Sequence, residues 1–196
     1  MKSVLGFALA SMLAALAAGA DYTIAPAPGA QFKLEVLKTG LMSGKVHVFT
    51  FEKYSGHVTY DAATPERSTV AFTIDNHSIV CRDTWVDDKD KKKIVDVAHE
   101  SRETAKHPAM SFQSQTVTRR ADGAFDVSGA LTIKGIAKPI KLKVAVSAEG
   151  GSLRFKGEGA IRRKDYGINP RAAVPFGLIG NKEEMPVHFE LVAAPR

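Results

Sequence analysis

The chain has 196 residues, a formal net charge of +6 and a single cysteine, which excludes an intramolecular disulfide. Its basic residues are dispersed without interleaved aromatics, and the densest stretch, Asp87 to Lys93, mixes both signs. A nucleic-acid groove wants a stripe of one sign, so no nucleic-acid partner is expected, whereas modest positive charge favours transient contact with an anionic membrane surface.

The N-terminus carries Lys2 and then an uncharged run rich in Ala and Leu from Val4 to Ala18, closed by Gly19-Ala20. That run is shorter than the roughly 20 apolar residues a bilayer demands and ends in the small residues a signal peptidase reads. We expect a signal peptide over residues 1–20, cleaved after Ala20, and export to the bacterial periplasm or the secreted fraction. The mature domain then covers residues 21–196, enough chain for one core.

From residue 31 onward hydrophobicity repeats every second residue, the pattern of strands with one face on a core. Phe32, Leu34 and Val36 share one phase, followed after a turn at Thr39–Lys45 by Val46–Phe51 and then by Gly56–Asp61. Val70, Phe72 and Ile74 mark the next strand, and Met110–Arg119 a weaker, more polar one. Phe125 to Ile133, Ile140 to Val146, Leu153 to Ile161 and Val187 to Leu191 complete the series. Turn residues separate them at Ala62–Pro65, Ala121–Gly123, Lys134–Pro139 and Glu149–Gly151, so neighbours are expected to pair as an antiparallel meander. About eight twisted strands tend to close into a barrel, because closure removes unpaired edges and leaves room for one small ligand. Gly129, Gly157 and Gly159 lie inside strands, where they permit bending or leave space within.

One segment departs from period 2. Over about 87–105, Ile94, Val97, Ala98, Ser101 and Ala105 recur at helical spacing, with Pro108 beyond as a stop. This predicts one inserted α-helix able to cover a barrel end, with Trp85 as its anchor and the acidic residues at 87–90 favouring its N-terminus. The stretch from Asp165 to Met185 is long for a hairpin connection and unusually apolar, the composition of a lid or of a loop packed on the barrel end.

Chemistry-bearing patterns are weak. The six histidines show no ligand-pair spacing, and His77 with Cys81, four apart and so on one face of a strand, supply only two ligands; no metal site is expected. Cys81 reads as a small buried apolar side chain. There is no Gly-x-Ser-x-Gly elbow, and Gly157-Glu158-Gly159 lacks the third glycine of a dinucleotide loop. A non-enzymatic protein is expected; an enzyme using a His/Asp pair at the barrel mouth, or a barrel filled by side chains serving as a structural or protein-binding module, are the alternatives.

Several segments carry a resemblance. Val127-Ser128-Gly129-Ala130-Leu131-Thr132-Ile133-Lys134-Gly135-Ile136-Ala137-Lys138-Pro139-Ile140 resembles the "GxLTIxGxxKPV" hairpin of the YceI-like family, exported lipocalin-like barrels that bind polyisoprenoid lipids. Lys53–Val58 is similar to the family's early "fsGxv" strand, His107–Phe112 to "yPxxxF", Arg163–Ile168 to "RxDFGI", and Leu178–Asn181 to the entry into the final strand. Between Cys81 and His107 the chain departs from the family's short "RDxHL…FFD" pattern: only Arg82-Asp83 remain, followed by a longer, more charged helical stretch. The resemblance implies an all-β, antiparallel, roughly eight-stranded lipocalin-like barrel with no cofactor, holding a polyprenyl lipid or quinone tail in its lumen. Phe32, Leu34, Val36, Phe72, Ile74, Phe112, Leu131 and Phe155 are expected against that tail, with Trp85, Phe176 and Leu178 at the mouth.

Overall fold

The computed structural model describes residues 19–169 and 178–196; the N-terminal apolar run and Phe176 lie outside them. Twelve strands occur among the described residues: β1 (Ala20–Ala25), β2 (Gln31–Gly40), β3 (Val46–Phe51), β4 (Tyr54–Tyr60), β5 (Thr69–Asp75), β6 (Ile79–Cys81), β7 (Ala109–Arg119), β8 (Phe125–Ile133), β9 (Ile136–Glu149), β10 (Ser152–Arg162), β11 (Ile179–Asn181) and β12 (Glu184–Pro195). One α-helix, α1 (Asp88–Arg102), precedes β7. All the pairings are antiparallel, and together they close an eight-stranded barrel.

Eleven of these segments make eight wall positions because three strands of the wall are broken, and β11 lies off the wall, paired with β2. β1 and β2 lie end to end along β12: Ala25 opposes Val192, and beyond the break Gln31 opposes Glu190. Pro26 and Pro28 remove two ladder donors there, and Gly29 takes a positive φ of 75°. β3 runs into β4 across Glu52-Lys53, and β5 into β6 across a 3-10 turn at Asn76–Ser78, so that β4 pairs with β5 and β3 with β6. The simple meander expected from the sequence is corrected at these points. β3 continues as β4 instead of pairing with it, while β1 closes the ring between β12 and β4. β1 itself was not anticipated, since its six residues sit between the apolar N-terminal run and two prolines.

The hairpin β8–β9 is tighter than the Lys134–Pro139 turn predicted. Lys134 and Gly135 both have positive φ (53° and 73°) and form a two-residue turn closed by Ile133 opposite Ile136, the geometry whose twist matches antiparallel strands. Pro139 is therefore inside β9. It is tolerated because β9 meets β10 only from Leu142 onward, leaving that edge free at Pro139.

Strand glycines admit neighbouring rings. A Cβ on Gly129 would stand 2.3 Å from the Gln113 carbonyl oxygen and 2.7 Å from the Phe112 ring, and one on Gly157 would stand 2.3 Å from Phe189. The space under these glycines is thus filled by aromatic side chains and is not reserved for a ligand. Gly129→Ala is expected to cost about 1–3 kcal/mol, because the backbone oxygen cannot swing aside. A thermal melt indistinguishable from wild type would contradict this packing.

The helix is slightly shorter than its sequence pattern suggests. The Asp87 carboxylate caps it by accepting from the Asp90 N–H, and Glu103 at φ 51° ends it. Fully buried Asn76 then ties the region together: its backbone N–H donates to Pro108 O and its Nδ2 to His107 O, each at 2.8 Å. The segment leaving α1 is thereby pinned to the break between β5 and β6. The same break parts His77 from Cys81: His77 is exposed in the 3-10 turn and Cys81 is buried in β6, so they do not share a strand face.

Candidate functional site

The barrel encloses an apolar cavity of about 640 Å³, within the range of small-molecule sites. Period 2 sends one side of every strand into it, and nine of the residues singled out from the sequence line it: Phe32, Leu34, Val36, Phe72, Ile74, Trp85, Phe112, Leu131 and Phe155. Leu178, 49% exposed, is not among the lining residues; its carbonyl oxygen accepts from the Leu41 N–H at 2.9 Å. Phe32 is the hub of an aromatic cluster, 5.9 Å from Phe51 and Phe72 and 6.2 Å from Phe189 between ring centroids. Along β8 and β9, Leu131, Ile140, Leu142 and Val146 line the cavity yet are only half buried. The volume of about 640 Å³ left open among the lining residues means that side chains alone do not fill the lumen.

α1 packs against β6, whose second edge has no strand partner among the described residues, and contributes Ile94, Val97, Ala98 and Ser101 to the cavity wall. The segment leading into it is clamped by buried Asp83, whose carboxylate accepts from the Val48 N–H at 2.7 Å and pairs with His47 Nδ1 at 2.5 Å. Trp85 stacks on His47 at 5.1 Å and donates its indole N–H to Val46 O. These contacts fix Trp85 on the cavity wall and give the His47–Asp83 pair a positioning job. The neighbouring Cys81 thiol is pushed up by burial above all, which keeps it protonated and poorly nucleophilic. Among the described residues no three His, Cys, Asp or Glu side chains converge as metal ligands.

Sequence reasoning missed Arg102. This last residue of α1 lines the cavity, is 5% exposed, and has no hydrogen-bond partner for Nε or Nη2. Its guanidinium lies over the Phe51 ring, 5.6 Å from the centroid. Burial pushes its pKa down to about 10. The signal was present in the sequence: Arg102 stands four residues after Ala98 and eight after Ile94, on the helix's apolar stripe.

A closed antiparallel barrel around an apolar lumen, capped by one helix, defines a lipocalin-like class of protein. The YceI-like domain model matches residues 22–193. Protein YceI of Salmonella newport (strain SL254) is 31% identical over 178 residues, covering 85% of this chain and 87% of its own, and the Salmonella paratyphi B protein matches to the same extent. The chain belongs to the YceI-like family. Among solved structures, Burkholderia cenocepacia BcnA superposes with a TM-score of 0.67 at 22% identity, covering 83% of this chain and 96% of that one. A Campylobacter jejuni YceI protein gives 0.50 at 19% identity, covering 72% and 82%. These two likenesses concern the fold.

Proposed function

We propose that the protein binds and carries, without converting it, a linear amphiphilic lipid whose polyprenyl or quinone-type tail lies in the lumen. The observation that carries this reading is the 640 Å³ apolar cavity enclosed by a closed barrel. Burying a flexible hydrocarbon there gains about 25 cal/mol per Å² of apolar surface, before the ligand's loss of freedom is counted. A barrel filled by its own side chains accounts less well for that open volume. In this reading Trp85 and Leu178 border the mouth; Phe176, given the same role from the sequence, lies outside the described residues. Leu41, 79% exposed, offers with neighbouring Lys45 a point of transient contact with an anionic membrane surface. Export through the N-terminal signal peptide places the carrier in the periplasm or outside the cell.

The test is mass spectrometry of the organic extract of protein purified, without detergent, from the exported fraction of its native host. A stoichiometric long-chain isoprenoid is expected. An empty extract, together with failed loading by added polyprenyl lipids, would replace the carrier with a structural or protein-binding barrel.

A further inference from the structure

The lumen is greasy almost throughout, so a buried cation on its wall needs a physical account. Placing a guanidinium in an apolar site without a partner is costly, and such groups are ordinarily paired. Arg102 has two donor atoms, Nε and Nη2, buried with no acceptor. The Phe51 ring beneath it offers a π face, a weaker partner than a carboxylate or phosphate. The negative end of α1 lies at the same place, since Arg102 is the helix's final residue. Neither feature occupies the in-plane donors. What would complete the site is an oxygen anion entering from the cavity.

Resting on the lipid-carrier reading, we propose that Arg102 is the headgroup receptor of the lumen and selects amphiphiles whose head is an oxyanion, a carboxylate or a phosphate, over neutral alcohols and quinones. The guanidinium fork offers parallel N–H donors to two oxygens of such a head, and low local polarity strengthens both bonds. The head sits over Phe51 while the tail runs among Phe32, Phe72 and Phe189. α1 spans roughly 20 Å at 1.5 Å per residue, and Trp85 precedes its opposite end. Head and Trp85 rim are therefore separated by about a helix length. This placement uses a residue from the stretch in which the chain departs from the family's usual pattern.

The experiment compares farnesol, farnesoic acid and farnesyl phosphate, one tail with three heads, on the full mature chain by tryptophan-quench titration and calorimetry. Wild type is expected to bind both acids at least about tenfold more tightly than farnesol. Arg102→Met should bind all three alike, and Arg102→Lys should restore preference for the phosphate in part. Arg102→Met is expected to melt no lower than wild type, because it removes an unpaired buried charge. Should it nevertheless fail to fold, the wild-type ratios and Arg102→Lys still decide.

A second readout lies at His99, whose imidazole is held below its ordinary value by burial first and then by the Arg102 charge. His77 faces His99 from the 3-10 turn, and Asp96 from its own helix. Neutralising Arg102 with an acid head should raise the His99 pKa in an NMR titration, and farnesol should not. Equal wild-type affinity for the three probes, or a head preference surviving in Arg102→Met, would overturn the proposal while leaving the carrier reading intact. If none of the three binds, the carrier reading falls and this one with it. Inorganic phosphate alone should not compete; full competition would move the site from lipid heads to free anions and overturn it too.

Discussion

Affinity for a series of isoprenoid chains sharing one head is expected to climb by about tenfold per added unit and then stop rising. Each unit brings five carbons out of water, and apolar burial at about 25 cal/mol per Å² gives more than the 1.4 kcal/mol that a tenfold change requires. Part of the gross gain is lost in immobilising the chain, so the slope falls below the transfer value. The plateau follows from a finite cavity of about 640 Å³: once the lumen is filled, further units remain in water. Titration of prenyl alcohols of increasing length would show this as a line that breaks. Affinity independent of length from the shortest chain upward would mean that the lumen does not receive the tail.

The inward-facing strands were the legible part of this fold. Phe32, Leu34, Val36, Phe72, Ile74, Phe112, Leu131 and Phe155 each stand in one phase of their strands, and period 2 sends that phase to the lumen. α1 was legible for a similar reason, through its 3.6-residue period and the acidic residues at 87–90 beside its start. The breaks in the wall were not. Whether β3 folds back on β4 or continues into it depends on pairing with β6 and β1, partners far away in sequence, while turn residues at Glu52-Lys53 are absent. Nor could periodicity foresee what fills the space beside a strand glycine. Gly129 and Gly157 read as places for bending or for space within, yet Phe112 and Phe189 occupy that space from adjacent strands. Arg102 was hidden by habit of a different kind: an arginine on a charged helix reads as solvated, and only its place on the stripe of Ile94 and Ala98 marks it as internal. The site thus contained one group whose meaning depends on burial, which sequence alone does not report.

Phe72→Asp is expected to leave little folded protein at neutral pH. Phe72 is buried on β5, opposite Phe112, with its ring 5.9 Å from Phe32 and 5.5 Å from Tyr54. It also packs beside Gly56, where an added Cβ would meet its ring at 3.0 Å. Removing the ring costs about 3–5 kcal/mol, and an unpaired carboxyl in its place adds a desolvation penalty. Together they rival the roughly 5–15 kcal/mol that holds a domain of this kind together. The neighbouring Thr73→Asp, on the exposed face of the same strand, should change stability by no more than about 0.5 kcal/mol. Burial raises the new carboxyl's folded pKa above its unfolded value near 3.9. The folded form then binds the extra proton over the window between the two values, and stability relative to wild type is lost as pH rises through it. The deficit of Phe72→Asp should accordingly shrink as pH is lowered towards 4. Denaturant melts of both variants across that range check it, and equal tolerance of aspartate at positions 72 and 73 would deny that one face of β5 looks into an apolar lumen.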